Sequence, residues 1–199
     1  MLDEGYIKYT FDWNKREITI PAEVLSELNF YRNKLRALKM IGKIPDGPGF
    51  GNISVRANGD AFFISGSDTG SKELLGAEQV ALVTQCNYLQ NHIVFEGQIA
   101  ASSESMSHAA IYKQHMGVGA VIHVHQSKLW NHYLNDLPTT EVKAAYGTPA
   151  LAEAIAQKVC ETPGIRLLVL GGHEDGIISY GSNLQEAYNV LMQWYRALL

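Results

Sequence analysis

The sequence is poor in cysteine and in long apolar runs. Its 199 residues include two cysteines, Cys86 and Cys160, which lie far apart and outside any Cys-x-x-Cys or Cys/His spacing. Neither a disulfide framework nor a thiolate metal site is therefore expected, and we expect both to be small buried hydrophobic residues. No stretch approaches the roughly 18 uninterrupted apolar residues that span a bilayer, so no membrane partner is expected.

The sequence also lacks a large excess of charge of either sign. Sixteen Lys and Arg oppose 20 Asp and Glu, which gives a formal net charge of −4, and no run of five basic residues occurs. The sequence thus offers no concentration of positive charge for a polyanion, so nucleic acid is not an expected partner. The N-terminal sequence MLDEGYIKYTFDW has neither a positive leader nor an apolar core. This composition predicts a cytoplasmic location.

Helical and extended patterns alternate along the chain without a repeat or a second domain. Apolar residues at three-to-four spacing predict a helix from Pro21 to about Gly42, and Asn58-Gly59 predicts a tight turn between two strands. We predict one α/β domain, residues 1–199, around a largely antiparallel sheet. The other predicted elements are a short helix over 72–81, strands from 80 to 96 around a polar turn at 85–87, a helix over 102–115 capped by Ser102 or Ser103, a strand over 119–125, a helix over 145–160, strands over 166–170 and 177–180, and a last helix with a capping box of Ser182 and Gln185.

Two histidines stand at alternate positions of the apolar segment Val121–His125. Because side chains alternate across a strand, His123 and His125 should project to one face, about 7 Å apart along the strand. Neutral imidazole is a common ligand of zinc and similar divalent ions. Taken alone, such a pair is as typical of a structural or surface role as of a metal site.

A third histidine, His173, lies in a glycine-rich turn after an apolar strand, where loops gather functional groups. Gly171 and Gly172 let the backbone approach an ion closely, although the same loop is also typical of a polar turn between hairpin strands. Three imidazoles with an open fourth position are typical of a catalytic site. We predict that His123, His125 and His173 bind Zn2+, or another divalent metal such as Mn2+ or Co2+.

Glu104 follows two serines at a predicted helix start, where backbone N–H groups favour anions. On that helix Glu104 shares a face with His108. An ordinary capped helix with an acid in its first turn gives the same pattern, so a role for Glu104 depends on its neighbours. No metal role is predicted for the remaining histidines, which are His92, His108, His115 and His132.

Two loops, 49–54 and 65–70, are rich in glycine and hydroxyl groups. That composition is typical of a backbone nest for phosphate or carboxylate, and equally of a solvated turn. Neither is a Walker loop, because no Gly-Lys-Ser/Thr follows. The sequence alone leaves both alternatives open.

In this order the segments resemble the class II aldolase and adducin family, in particular its fuculose-phosphate aldolase-like enzymes. The resemblance covers most of the chain and includes Gly51-Asn52-Ile53-Ser54, Ser102-Ser103-Glu104, His123-Val124-His125 and Gly172-His173. It implies a three-layer α/β/α fold around a largely antiparallel central sheet. It also implies a homotetramer with active sites at subunit interfaces.

The resemblance further implies a role for each site residue. The three histidines would bind zinc, and Glu104 would be the catalytic acid and base that moves a proton at the substrate carbon. A metal ion acts as a Lewis acid on the enediolate formed when a C–C bond breaks, and the carboxylate needs a proton affinity tuned for the transfer. The anion-binding candidates are Asn52, Ser65, Thr69, Gly70, Ser102 and Ser103.

Three departures separate this sequence from the family pattern. The loop SGSDTG is about two residues longer than the usual form, and His173 is followed by Glu174 and Asp175 where many members have glycine. The segment between His125 and Tyr146 is short, so the tyrosine that reaches into a neighbouring subunit in the sugar-phosphate aldolases has no counterpart there. Tyr146 itself aligns with the following turn.

These observations favour an enzyme of carbohydrate metabolism that acts on a small sugar or sugar-phosphate-like substrate. The first expectation is a metal-dependent lyase that cleaves or forms a C–C bond in a ketose, a ketose phosphate or a related hydroxy-keto compound. A metal-dependent epimerase or dehydratase on the same scaffold is the second. A non-catalytic binding or assembly module like the adducin head is the third.

Overall fold

The computed structural model describes residues 6–199, which form an α/β structure; the first five residues of the N-terminal segment discussed above lie outside this range. Among the described residues, no helix combines the length and apolar character needed to cross a membrane. The strands are β1 Thr10–Asn14, β2 Gly42–Lys43, β3 Gly49–Phe50, β4 Asn52–Arg56, β5 Phe62–Ser65, β6 Val80–Asn87, β7 His92–Glu96, β8 Ala120–His125, β9 Leu167–Val169 and β10 Gly176–Gly181, and the helices are α1 Ala22–Ala37, α2 Ser105–Gln114, α3 Ser127–Tyr133, α4 Pro149–Glu161 and α5 Leu184–Arg196.

The central sheet has the strand order β1-β7-β6-β5-β4-β8-β10-β9. Within residues 6–199, β1 and β7 run parallel, and the other neighbouring pairs are antiparallel. A separate two-stranded sheet pairs β2 with β3. The predicted α/β fold with a largely antiparallel sheet is therefore confirmed.

Helices cover both faces of the sheet, which gives the expected three layers. One core includes Met106 of α2 and Leu151 of α4, and the other includes Leu28 of α1 and Leu184 of α5. A sheet residue belongs to one core or the other according to its position, because successive side chains point to opposite faces. The two cores thus hold the sheet, and with it the ends of β4, β8 and β10, in a fixed place.

Several predicted elements need correction. Helix α1 ends at Ala37 rather than near Gly42, because Lys39 adopts a left-handed φ of 57° and Met40 N–H bonds to the Leu35 carbonyl, which closes the helix end. The helix predicted over 72–81 is wrong, since only the short 3-10 turn Ala77–Gln79 forms. There the Asn29 side chain bonds to both the N–H and the carbonyl of Leu75 and holds the segment in a non-helical conformation.

The turn predicted at 85–87 is also misplaced. Strand β6 continues to Asn87, past an irregularity in register between Val83 and Gln85, and the chain turns at Tyr88–Gln90. Asn91, with φ 54°, completes the turn, because asparagine tolerates the left-handed region better than most residues. The bulge shifts the strand by one position and hides its end from a simple alternation pattern.

The predicted helix caps shift by one or two residues. Glu104 rather than Ser102 or Ser103 occupies the N-cap position of α2. Asn183 caps α5 by accepting a bond from the Glu186 N–H, where Ser182 and Gln185 were predicted. Both helices still begin close to the predicted place.

Four elements were not predicted and one burial prediction was partly wrong. The four are the strands β1, β2 and β3 and the seven-residue helix α3, which have no strong pattern of their own. Both cysteines are free; Cys86 is half-buried and Cys160 is exposed on α4. The prediction that Cys160 is buried is therefore wrong.

Candidate metal centre

Strand β8 places two imidazoles on one face of the sheet. Its apolar residues Ile122 and Val124 are buried in the core on the side of α1 and α5, so His123 and His125 project to the opposite side. The ring centroids of these histidines are 5.1 Å apart. His123 is fully buried and its Nδ1 lies 3.2 Å from the Ile177 carbonyl, a contact that orients the ring.

His173 reaches the same place from the turn between β9 and β10. Gly171 and Gly172 pass close to neighbouring backbone: an added Cβ would lie 2.2 Å from the Thr140 carbonyl oxygen and 2.3 Å from that of Ala144, respectively. Glycine is therefore required at both positions. The His173 ring centroid lies 5.1 Å from that of His123 and 4.7 Å from that of His125.

The three side chains form a donor set that suits a divalent ion. One ring nitrogen from each of His123, His125 and His173 lies within 4.8 Å of the others. Two nitrogens that share one zinc ion are at most about 4.2 Å apart, because each sits about 2.1 Å from the ion. Small ring rotations would close that gap, so these residues fit a three-imidazole site with a remaining open position.

Glu104 lies beside this cluster in a buried position. It is 1% exposed, its Oε1 lies 3.7 Å from Nδ1 of His173, and its Oε2 accepts a hydrogen bond of 2.7 Å from the Ser107 hydroxyl. The carboxylate thus stands next to the third imidazole and is oriented by its own helix. A buried carboxylate beside a metal-directed cluster is suited to proton transfer at a bound substrate.

A buried polar network fixes the helix that carries Glu104. The Ser54 hydroxyl on β4 lies 2.7 Å from Nδ1 of His108 and 2.7 Å from the hydroxyl of Tyr112, both on α2. Complete burial lowers the pKa of His108 to about 3, because desolvation disfavours the charged ring. His108 is therefore a neutral link between α2 and the sheet, one helical turn after Glu104.

The anion-binding candidates divide into two groups. Asn52, Thr69, Gly70, Ser102 and Ser103 line, together with Glu104, one narrow cavity of about 20 Å³. Ser65 is not among the residues that line it; its buried hydroxyl accepts a hydrogen bond from the Ile53 N–H.

Arg32 is a residue of this region that the sequence did not reveal. It is 1% exposed and donates hydrogen bonds to the carbonyls of Thr69 and Lys72. Burial lowers its pKa to about 10, with a smaller contribution from nearby Arg36. The guanidinium holds the loop 65–70 from behind, and a single arginine in a helix gives no sequence signal for this role.

Tyr146 is a second such residue. Its ring centroid lies 4.8 Å from that of His173, and its hydroxyl donates a hydrogen bond to the Ser103 hydroxyl. The sequence placed Tyr146 in the turn before α4, which is correct, but did not indicate that this turn packs against the cluster. A tyrosine of the same chain therefore touches the candidate site.

The two acidic residues after His173 have different environments. Asp175, with φ 64°, accepts a hydrogen bond of 2.8 Å from the Ser127 hydroxyl at the start of α3, so it holds the turn. Glu174 is exposed and lines, with His125 and Phe50, a cavity of about 370 Å³. That cavity gives a small molecule access to the cluster.

Comparisons with known proteins identify the family and the fold. A family model described as the Class II Aldolase and Adducin N-terminal domain matches residues 46–198. An L-fuculose 1-phosphate aldolase superposes with a TM-score of 0.68 at 23% identity, covering 90% of this chain and 84% of that one. The enzyme of that name from Thermus thermophilus gives 0.65 at 22% identity, with 90% and 93% covered.

A sugar-phosphate aldolase from Thermotoga maritima gives a TM-score of 0.67 at 16% identity, covering 88% of this chain and 92% of that one. A search of curated proteins gives no significant sequence match. At these identities the solved structures show a common fold.

Proposed function

Because this chain belongs to the class II aldolase and adducin family, we propose that it is a divalent-metal-dependent lyase. It would cleave or form a C–C bond in a small ketose, a ketose phosphate or a related hydroxy-keto compound. The observation that carries this proposal is the convergence of three imidazoles within 4.8 Å, with the buried carboxylate of Glu104 3.7 Å from one of them. A binding module has no need of that combination.

His123, His125 and His173 would hold the ion, and zinc suits three neutral imidazoles best; Mn2+ and Co2+ are the alternatives. When bound, the ion supplies Lewis acidity to adjacent carbonyl and hydroxyl oxygens of the substrate. Burial of His123 and His173 keeps water from most of the site. Electrostatic interactions are stronger in such an environment than in water.

Glu104 would accept a proton from, or return it to, the substrate carbon next to the carbonyl. The Ser107 hydroxyl orients one carboxylate oxygen, which leaves the other directed towards His173. A carboxylate that is fixed in this way needs little reorganisation during the transfer. Its role is therefore the acid and base of the reaction.

The polar loops would hold the part of the substrate farther from the cluster. Asn52, Thr69, Gly70, Ser102 and Ser103 surround the narrow cavity, and Ser65 would act indirectly by fixing Ile53. Tyr146 would position Ser103 through their hydrogen bond. We further propose a cytoplasmic homotetramer, as in the family's sugar-phosphate aldolases.

Product analysis tests the reaction class. The purified, zinc-loaded protein would be incubated with a panel of ketose phosphates and unphosphorylated ketoses, and the products identified by mass spectrometry and NMR. Two shorter fragments, one of them a dihydroxyacetone-type ketone, are expected. An isomer or a dehydrated ketone as the product would instead indicate the epimerase or the dehydratase.

A carboxamide variant tests the role of Glu104. Glu104→Gln should abolish turnover and retain nearly the full metal content, because the side chain transfers a proton rather than binding the ion. Glu153→Gln, on the exposed face of α4, is the matched control and should retain activity. A large loss of metal in Glu104→Gln would show that the carboxylate is chiefly a ligand.

A further inference from the structure

The loop 65–70 brings a carboxylate to the place where an anionic substrate group would be expected. Asp68 has a left-handed φ of 54°, and its Oδ1 accepts a hydrogen bond of 2.8 Å from the Gly49 N–H. Asp68 and Gly49 both line the narrow cavity with Ser102 and Ser103. A backbone N–H that could bind a substrate anion is therefore already occupied by the protein's own anion.

The charge of this cavity also disfavours an anion. Its lining includes the carboxylates of Asp68 and Glu104 and, among the described residues, no lysine, arginine or histidine. A phosphate group carries a charge of about −2 near neutral pH. Like charges in close approach repel each other, and this cavity holds no cationic side chain to offset the repulsion.

Cationic side chains of the region lie elsewhere. Arg36, Lys39 and Lys43 line a neighbouring cavity of about 650 Å³, which shares Phe50 and Gly70 with the narrow one. Arg32 uses its guanidinium behind the loop, where it binds the carbonyls of Thr69 and Lys72. None of these four cations lines the narrow cavity.

The polar atoms that remain are suited to a hydroxyl group. The Asn52 side chain is 7% exposed, and its Oδ1 accepts no hydrogen bond from the described residues. An acceptor of this kind needs a donor. A fully ionised phosphate offers none, whereas a sugar hydroxyl offers one.

From these observations we infer that Asp68 prevents a phosphate group from binding at the loop 65–70 and that the substrate is an unphosphorylated polyhydroxy carbonyl compound. This inference rests on the proposed function and narrows its substrate class. Asp68 is a specificity-determining residue in this account, and the reaction centre at the three histidines is unaffected by it. The hydroxyl end of the substrate binds against Asn52 and Asp68.

A pair of matched chelators tests the inference without measuring activity. Glycolohydroxamate and its phosphate ester would be titrated by calorimetry into the zinc-loaded protein, in the wild type and in Asp68→Asn. Asparagine retains the acceptor for Gly49 and tolerates a positive φ, so this variant removes only the charge. Asp68→Gly removes the bulk as well and serves as the second variant.

We expect the wild type to bind the phosphate ester no more tightly than the parent compound. Asp68→Asn and Asp68→Gly should raise the affinity for the ester, relative to the parent, by about tenfold or more. Asp46→Asn is the matched control, because Asp46 is also exposed with φ 54° but does not line the narrow cavity. Its affinity ratio should equal that of the wild type.

The inference is overturned if the wild type prefers the ester by about tenfold, or if neither Asp68 variant changes the ratio. A metal-free titration with inorganic phosphate separates this result from a failure of the proposed function. Phosphate binding by the metal-free wild type overturns the inference, whether or not the protein also binds zinc. Phosphate binding that appears only in the Asp68 variants supports it. Failure of both chelators to bind protein that holds zinc would count against the proposed function alone.

Discussion

The neutral, buried His108 should make the protein sensitive to mild acid. Its pKa falls from 6.5 to about 3 in the folded protein because burial desolvates the charged ring. In the unfolded chain the same ring binds a proton below about pH 6.5. The unfolded state therefore binds one more proton than the folded state between these two values, and stability decreases as the pH falls through this window.

The size of the effect follows from the shift. A difference of one bound proton changes the free energy of unfolding by about 1.4 kcal/mol for each pH unit. Between pH 6.5, where the unfolded ring is half protonated, and pH 4.5, His108 should thus lower the free energy of unfolding by about 2.3 kcal/mol. That is a considerable part of the typical stability of a domain, which is about 5–15 kcal/mol.

Urea denaturation at a series of pH values measures this effect. The experiment compares the wild type with His108→Asn, in the presence of a chelator so that metal binding does not contribute. The variant has an offset in stability from lost packing and hydrogen bonding with Ser54. Its decline between pH 6.5 and pH 4.5 should nevertheless be shallower by about 1.2 kcal/mol per pH unit on average.

The exposed His132 provides the control, since His132→Asn removes a histidine from the surface. Its acid profile should parallel that of the wild type. Equal slopes for the wild type and His108→Asn would refute the reasoning. They would mean that the His108 ring is accessible to a proton in the folded protein.

Three further substitutions test the packing around the site by urea denaturation. Gly70→Ala should destabilise the protein by more than about 3 kcal/mol, because the new Cβ meets the Gly42 carbonyl oxygen. The control Gly164→Ala places its Cβ in open space and should change the stability by no more than about 0.5 kcal/mol. Similar values for both variants would contradict this reasoning. Arg32→Met should destabilise by about 3 kcal/mol, since the loop loses charge-assisted bonds to its carbonyls; an unchanged midpoint would show that the loop does not need them. Tyr146→Phe should lower the free energy of unfolding by about 1 kcal/mol and retain the full metal content in elemental analysis. Loss of the ion in this variant would instead show that the hydroxyl belongs to the metal centre.

The place of each histidine on its own element could be anticipated from local rules, and the family resemblance implied that the three act together. Alternation along β8 puts His123 and His125 on one face, and glycines beside His173 indicate a turn where the backbone must approach its neighbours closely. The hairpin at Asn58-Gly59 followed in the same way from its turn sequence. In each case the preference of a few consecutive residues agrees with the final fold.

Other features depend on distant contacts and leave no local signal. The segment 72–81 has a helix-like composition, but its bonds with Asn29 hold the backbone at Leu75 outside a helix. Tyr146 lies 27 positions before His173 in the sequence yet packs on its ring. Such contacts arise from the tertiary arrangement, which overrides local propensity.

The bulge in β6 shows a third kind of limit. One extra residue between Val83 and Gln85 moves the end of the strand to Asn87. A shift by one residue reverses which side chains face the core. Beyond that point the alternation of apolar and polar residues therefore no longer predicts where the strand ends. The turn was consequently predicted a few residues too early.

Metal analysis of the purified protein tests the central claim most directly. Elemental analysis after loading with zinc and removal of excess ion should find about one ion per chain, as a single three-imidazole site requires. His173→Ala should lose this ion, and the exposed-site variant His132→Asn should keep it. A wild-type protein that retains no divalent ion, or a His173→Ala variant that binds it as well as the wild type, would contradict the account.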